Sequence, residues 1–501
     1  MTATPAQEAA GRAAPGEEPE GTADVTRDGT RRRRVVVTGL GVVSAIGTGA
    51  EEFWAAARAG RSGTGEVTLF DTGDCLTHRG GEIRDWTPPV PDAAYGLGPL
   101  TRSESFALAA TRLALEHAGL LPAGGPALPG GPLRAYAPER IGTAFGVVVG
   151  NRPGMEGPLR AWRAAAAGSG PGAPAPGGTT GPGAPGGTGG ATGTGGVTAH
   201  LPQRINGLPA QVFALHGPGL LLATACAAGN SALAHAADAV ADGRADAMVA
   251  GGADELSEAM FLMFNSFRAL APKAVQPFGT DRAGLMLGEG AGVLLLEAEE
   301  CARARGATVL AELAGYGSYA DAHHMTAPHP EGLGAVRSVR AALEAAGLTP
   351  SDIDMVSAHG TGTPSNDAAE ARALAEVFAG RSREPVPVTA LKSLLGHAQG
   401  AAGAIAAVAC VLAVRDGVVP PTAHVTEPDP GCLPPETRLV RGAEHRTPVR
   451  AALNNAFGFG GNNCCTVITA PAQRPGPAGA GRTTADRSGG GGRGGREGAE
   501  R

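Results

Sequence analysis

Lysine is almost missing from this chain: only Lys273 and Lys392 occur among 41 lysine and arginine residues in a sequence of 501. A lysine kept against so strong a bias toward arginine, alanine and glycine raises a chemical question. No Cys-x-x-Cys pair occurs, and the seven cysteines (Cys75, Cys226, Cys301, Cys410, Cys432, Cys464 and Cys465) are odd in number, which argues against a disulfide scaffold or a structural zinc site. Reduced thiols are expected. Residues 1–30 carry no apolar segment, so no secretory signal or membrane span is read there, and a cytoplasmic location is expected. A net charge of −6 gives no pull toward nucleic acid, and the one basic run, Arg31–Arg34, borders a tail. The pair His323 and His324 lacks a further ligand at metal spacing, so no metal is expected.

What remains is enough to fold. The 43% hydrophobic content supports a sizeable core, and much of the excess of glycine (80) and proline (40) sits in three tracts. Residues 1–34 and 471–501 read as disordered tails, and 167–197 as a low-complexity surface loop. The folded part is expected as two halves, 35–299 and 300–470. Short β-branched runs alternate there with Ala/Leu-rich stretches, the pattern of an α/β protein with buried sheets. Strands are expected at Val35–Thr38, Ala247–Ala250, Val293–Glu297, Asp354–Ser357, Val386–Thr389 and Cys465–Ile468. Helices are expected at 50–59, 102–118, 226–242, 332–346, 366–379 and 397–416. Two of the helices look duplicated, one beginning at Cys226 and one at His397, each with a glycine three residues on.

Cys226 stands in LLATACAAGNSAL, where apolar residues lead in and a small-residue helix leads out. A sharp strand-to-helix turn would put its sulfur at a helix N-terminus, where the dipole favours the thiolate. Taken alone, a buried structural cysteine is the plainer reading. His359 opens HGTGTPSND directly after the strand-like IDMVSA, so its imidazole belongs at the carboxyl end of a strand, where α/β sheets build sites. Lys392 and His397 stand five residues apart in KSLLGHAQGAAG. The GLGVVS segment lacks the third glycine and the downstream acid of a dinucleotide fingerprint.

Together with VVVTGLGVVSAIG, GEGAGVLLLE, HHMTAP and NNAFGFGGNN, in this order, these segments resemble the β-ketoacyl-acyl carrier protein synthases over about 35–470. The resemblance implies a thiolase fold: two duplicated βαβαβαββ halves in a five-layered α-β-α-β-α architecture. It implies an acyltransferase that carries an acyl chain on Cys226 and condenses it with malonyl-acyl carrier protein, with His359, Lys392 and His397 serving decarboxylation. It further implies an oxyanion pair and gate at Cys226 and Phe459, pantetheine and malonyl contacts at Thr361, Thr363 and Thr326, a structural acid at Glu289 and carrier docking at Arg268. No cofactor is implied, since substrates ride on the carrier's phosphopantetheine. Expected partners are the acyl carrier protein and either a second copy or a chain-length-factor-like subunit, with no nucleic acid or membrane. Bacterial fatty acid, polyketide or polyene assembly is the expected setting, and the alternative is a weakly active or non-catalytic ketosynthase-like partner, a chain-length-factor-like subunit, of another synthase. Ala406 stands where many relatives have a glutamate near the lysine, and Val149 aligns with a tunnel gate. Cys464 and Cys465 are read as core residues.

Overall fold

A computed structural model describes residues 32–97, 100–125, 133, 135–150 and 201–471. The expected tails before residue 32 and after residue 471, and the expected loop at 167–197, lie outside the described residues. Arg32, Arg33 and Arg34, read from sequence as the end of a tail, are ion-paired. Arg32 meets Asp238 at 2.6 Å, Arg33 meets Asp246 at 3.1 Å, and Arg34 meets Glu299 at 3.0 Å. Their acidic partners lie far along the chain, out of reach of local pattern reading.

The strands of three or more residues in the first half are β1 (Val35–Ser44), β2 (Ile141–Gly146), β3 (Gly219–Leu222), β4 (Ala247–Asp254) and β5 (Gly290–Ala298). Those of the second are β6 (Ala311–Ala320), β7 (Met355–Ser357), β8 (Val386–Thr389), β9 (Thr437–Leu439), β10 (Ala451–Gly458) and β11 (Asn462–Thr469). Across the sheet the first half runs β3-β2-β4-β5-β1 and the second runs β8-β7-β10-β11-β6, with β9 added outside β8. Each half therefore places its strands third, second, fourth, fifth, first. The directions repeat as well: the first three positions are parallel, and the last two are antiparallel additions. Strand β1 also pairs with β6 at Val36 and Val37, joining the halves edge to edge. A shared order with shared polarity is the signature of duplication.

Both faces of each sheet are covered, so the strands alternate between two cores rather than between core and water. Met248, Ala250, Leu294 and Leu296 face a central core, whereas Val249, Ala253, Val293 and Leu295 face an outer one. In the second half Ala452 and Ile468 face the same central core, and Leu453 and Val467 face a second outer core. The helices fill these spaces. Helices α1 (Ala50–Arg58), α2 (Arg102–His117) and α3 (Arg204–Phe213) serve the first half, with α2 and α3 on its outer face. Helices α4 (Ala228–Ala241) and α8 (Ala402–Asp416) lie between the halves, and each touches strands of both. Helix α5 (Glu258–Ser266) flanks the site, while α6 (Leu333–Ala345) and α7 (Pro364–Phe378) cover the second outer face. The stack is the five-layered arrangement expected. Gln399–Asp416 is long and apolar enough to cross a bilayer, but here it is the buried central helix and its lead-in turn.

The central pair corrects one detail of the duplication. Ala225 and Gln399 both have φ +51, each opens a 3-10 turn, and α4 and α8 follow at equal distance. Cys226 is thus the counterpart of Gly400, and His397 lies three residues ahead of it. Glycines at both 400 and 403 hid the register in the sequence. The true register explains how closely the helices cross. A Cβ on Gly229 would lie 2.8 Å from the Ala404 nitrogen, and one on Gly403 would lie 2.7 Å from the Asn230 side-chain oxygen. Asn230 closes the crossing by donating to the Asn454 and Cys464 carbonyls at 3.1 and 2.9 Å, while Asn454 donates to Asn230 and to the Gly403 carbonyl at 2.9 and 3.0 Å. Truncating either amide would strand buried polar groups at about 1–3 kcal/mol each.

Candidate active site

Four chain segments converge where the central helices begin. Strand β3 ends at Leu222, and the left-handed Ala225 turns the chain so sharply that Cys226 stands at the mouth of α4. The end of β10 reaches the same point, because Gly458 has no side chain. A Cβ there would lie 3.0 Å from the Cys226 nitrogen. This close approach lets the backbone N–H of Phe459, with that of Cys226 itself, point at the Cys226 sulfur.

A helix start in the sequence leads one to expect a low-pKa thiol at this position. The structure reverses that expectation: burial pushes the Cys226 thiol up to about 11, against the pull of Lys392 and of the two N–H groups. Removal from water outweighs the end of a helix dipole.

His359 follows β7, buried, with its backbone N–H and that of Gly360 both donating to the Glu370 carboxylate at 2.8 Å. Lys392 begins a single helical turn, donates to the His359 carbonyl, and has its Nζ 3.3 Å from His359 Nδ1. His397 is held by its N–H to the Met286 carbonyl at 2.6 Å, and its Nδ1 accepts the Gln399 N–H at 3.0 Å. Both imidazoles therefore use Nδ1 as an acceptor, so each carries its proton on Nε2. The rings lie 5.6 Å apart, nearly perpendicular. Burial first, and Lys392 second, hold both well below the ordinary histidine range, so both are neutral donors. Burial also lowers Lys392, to about 8, with Glu370 opposing.

Cys226, His359 and His397 line one cavity of about 270 Å³, together with Thr326, Thr361, Thr363, Phe264, Phe267 and Phe459. Thr361 and Thr363 share a 2.8 Å hydrogen bond, and Thr363 caps α7 by accepting from the Asn366 N–H. Phe459 stacks at 5.4 Å on Phe264, followed by the left-handed Gly460 and Gly461. Arg268 is exposed one residue beyond Phe267, itself 51% exposed at the cavity mouth.

A profile for the N-terminal domain of the β-ketoacyl synthases matches residues 32–302, and one for their C-terminal domain matches residues 310–426. The chain belongs to the β-ketoacyl synthase family. It is 34% identical over 445 residues to a 3-oxoacyl-[acyl-carrier-protein] synthase 2 of Coxiella burnetii, covering 87% of this chain and 99% of that one. It is 35% identical over 454 residues to a putative polyketide beta-ketoacyl synthase 1 of Streptomyces halstedii, covering 88% and 99%. Among solved structures, the ishigamide ketosynthase/chain length factor aligns with a TM-score of 0.74 and 35% identity, over 88% of this chain and 100% of that one.

Within this β-ketoacyl synthase, Glu289 lies behind the site, its carboxylate accepting the Ile83 and Leu256 N–H groups at 2.8 and 3.1 Å and pairing with Arg102. Ala406 borders a void of about 10 Å³ against Lys392, room for about one water. The other lysine, Lys273, is exposed in a loop. Val149 packs in the apolar cluster of Phe264, with Phe459 at its edge. Cys464 and Cys465 are fully buried in β11, as expected of core residues. Among the described residues no group of three His, Cys, Asp or Glu side chains could hold a metal.

Three carboxylates escaped sequence reasoning. Glu370 holds the His359 turn. Asp367, one helical turn earlier, accepts the Gly362 and Phe278 N–H groups at 3.1 and 2.9 Å. Asp254 gathers the N–H groups of Val148, Val149, Gly150 and Gly400 at 2.7–3.0 Å, tying the Val149 loop to the turn after His397. The spacing of Asp367 and Glu370 on a helix face was the one available signal.

Proposed function

We propose that this chain catalyses decarboxylative condensation of a Cys226-bound acyl group with malonyl-acyl carrier protein, giving a β-ketoacyl product. The observation that carries the reading is the meeting of one thiol and two fixed Nε2–H donors in a single cavity.

In the first half-reaction the Cys226 sulfur attacks the thioester of the acyl carrier, the carrier thiol leaves with the proton, and the N–H groups of Cys226 and Phe459 hold the transient oxyanion. In the second, the bond from the malonyl carboxylate breaks, carbon dioxide leaves, and its electron pair becomes an enolate whose oxygen accepts from His359 and His397 Nε2–H. The enolate carbon then attacks the Cys226 thioester, a carbon–carbon bond forms, and the cysteine leaves as a thiolate that is reprotonated. Lys392 polarises His359 from behind. Thr361 and Thr363 bind the pantetheine arm, Thr326 the malonyl group, and Phe459 swings between the two stages. Arg268 docks the acidic carrier.

The reading includes a cytoplasmic location, no resident cofactor, and a dimer with a second copy or a chain-length-factor-like subunit. Support for the dimer comes from β3, which ends the first-half sheet and carries Leu220 at 38% exposure. The complete Cys-His-His set favours a working enzyme over a scaffold subunit.

The test is intact-mass analysis of the full chain incubated with acyl carrier substrate and then malonyl carrier. An acyl adduct that Cys226→Ala abolishes, followed by β-ketoacyl product, is expected. No adduct, alone or with a co-expressed partner subunit, would overturn the reading.

A further inference from the structure

Gln399 serves the chemistry above only through its backbone, and its side chain is left idle. That side chain is 2% exposed, and neither Nε2 nor Oε1 has a hydrogen-bond partner among the described residues. Buried amides are paired in native structures unless something absent completes them. The backbone adds to the anomaly, since φ is +51, a left-handed conformation uncommon outside glycine and concentrated at functional sites. Packing alone does not call for glutamine here. The duplicated counterpart, with the same φ, is Ala225.

Its position narrows what the missing partner is. The Gln399–Ala401 turn packs against the Ala225–Ala227 turn that carries Cys226, with His397 on one side and the Asp254-bound Gly400 on the other. Gln399 does not line the 270 Å³ cavity, although its own backbone N–H holds His397, which does. The contact of the two turns puts Gln399 beside the residue that would carry the acyl chain.

We propose that Gln399 sets substrate specificity by hydrogen-bonding an oxygen on the acyl chain held by Cys226, so that the synthase prefers keto- or hydroxy-bearing chains to saturated ones. The inference rests on the condensing reading above. Nε2–H donates to a chain carbonyl, and Oε1 accepts from a hydroxyl or enol. A saturated chain satisfies neither, and the amide stays buried without partners.

The experiment compares acyl-pantetheine thioesters matched in length, one saturated and the others bearing a single ketone or hydroxyl at successive positions. The rate of Cys226 acylation is read by intact mass in the full chain, in Gln399→Met, which is close in volume but lacks the amide, and in Gln399→Glu. At least one oxygenated chain should react about tenfold or more faster than the saturated one, the worth of one such hydrogen bond. Gln399→Met should bring that ratio near unity. Gln399→Glu, a neutral acid at this depth, keeps a donor and an acceptor and should retain the preference. An unchanged ratio in Gln399→Met overturns the proposal, whether the melting temperature holds or falls; a fall would mark the amide as the holder of a buried water. If Cys226 takes up no acyl group from any chain, the condensing reading itself fails and the proposal falls with it.

Discussion

Removing either histidine should leave acylation standing and cripple decarboxylation, and the two losses should differ. In the proposed mechanism the oxyanion of the first half-reaction is met by the backbone N–H groups of Cys226 and Phe459, which point at the Cys226 sulfur and which neither substitution touches. The enolate of the second is, on the same proposal, met by the imidazoles. Loss of one such donor typically costs 10²–10³ in rate, or roughly 3–4 kcal/mol. Behind His359 Nδ1, at 3.3 Å, stands the Lys392 ammonium; behind His397 Nδ1, at 3.0 Å, stands the neutral Gln399 N–H. Charged partners make hydrogen bonds about twice as strong as neutral ones, so the Nε2–H of His359 is the more polarised donor. His359→Ala should therefore lose about 10³ and His397→Ala about 10² in carbon dioxide release from malonyl carrier. One preparation serves both readouts, with intact mass for the acyl-enzyme and labelled carbon dioxide for the second step. Histidine variants that failed to acylate yet decarboxylated normally would refute this division of labour. A larger loss for His397 than for His359 would refute the role given to Lys392.

Three further outcomes follow from the same geometry. Iodoacetamide should label Cys226, with a rate still climbing above pH 10 because its thiol sits near 11, while buried Cys464 and Cys465 resist; a plateau below pH 8.5 would contradict the dominance of burial. As pH rises through about 8 Lys392 loses its proton and His359 its charged neighbour, so decarboxylation should fall while acylation, which draws on the Cys226 thiolate, should rise; parallel slopes would sink this assignment. Arg268→Glu should raise KM for carrier-borne substrates in low salt and spare small thioesters, and an equal loss on both would mean a defect in the site rather than in docking.

How far the sequence carried this picture depends on the range of the forces involved. Local pattern marked six of the eleven strands β1 to β11 and six of the eight helices α1 to α8, where apolar runs are nearly unbroken, as at Val293 and its neighbours in β5. It missed β2, β3, β6, β9 and β10, whose runs are broken by glycine, asparagine or polar residues or are very short, and helices α3 and α5. Cys226, His359, Lys392 and His397 were legible because each stands at a strand end or helix start that its own segment marks. The three buried carboxylates were not. Asp254, Asp367 and Glu370 act by collecting backbone N–H groups from turns that only the fold brings to them. The anchoring of Arg32 to Arg34 was hidden for the same reason, and so was the register that matches Cys226 with Gly400.

The charge state of the thiol shows most clearly what a sequence withholds. A helix start is visible in the letters, and its dipole favours a thiolate by about 0.3–1 kcal/mol. Burial is not visible, and a rise from 9.0 to about 11 amounts to roughly 3 kcal/mol in the other direction. Burial wins. The consequence reaches beyond one residue, because His359 and His397 are also held neutral by burial, leaving Lys392 as the cation of the resting site. In the proposed mechanism attack draws on the small thiolate fraction of Cys226, and the imidazoles meet a negative charge only once malonate has lost its carboxyl group. The N–H donors are fixed beforehand by Glu370, Gln399 and Gly458, so little reorganisation is needed when that charge appears. On the proposed mechanism the two half-reactions thus call on different groups, first the backbone N–H pair at Cys226 and Phe459 and then the imidazole pair.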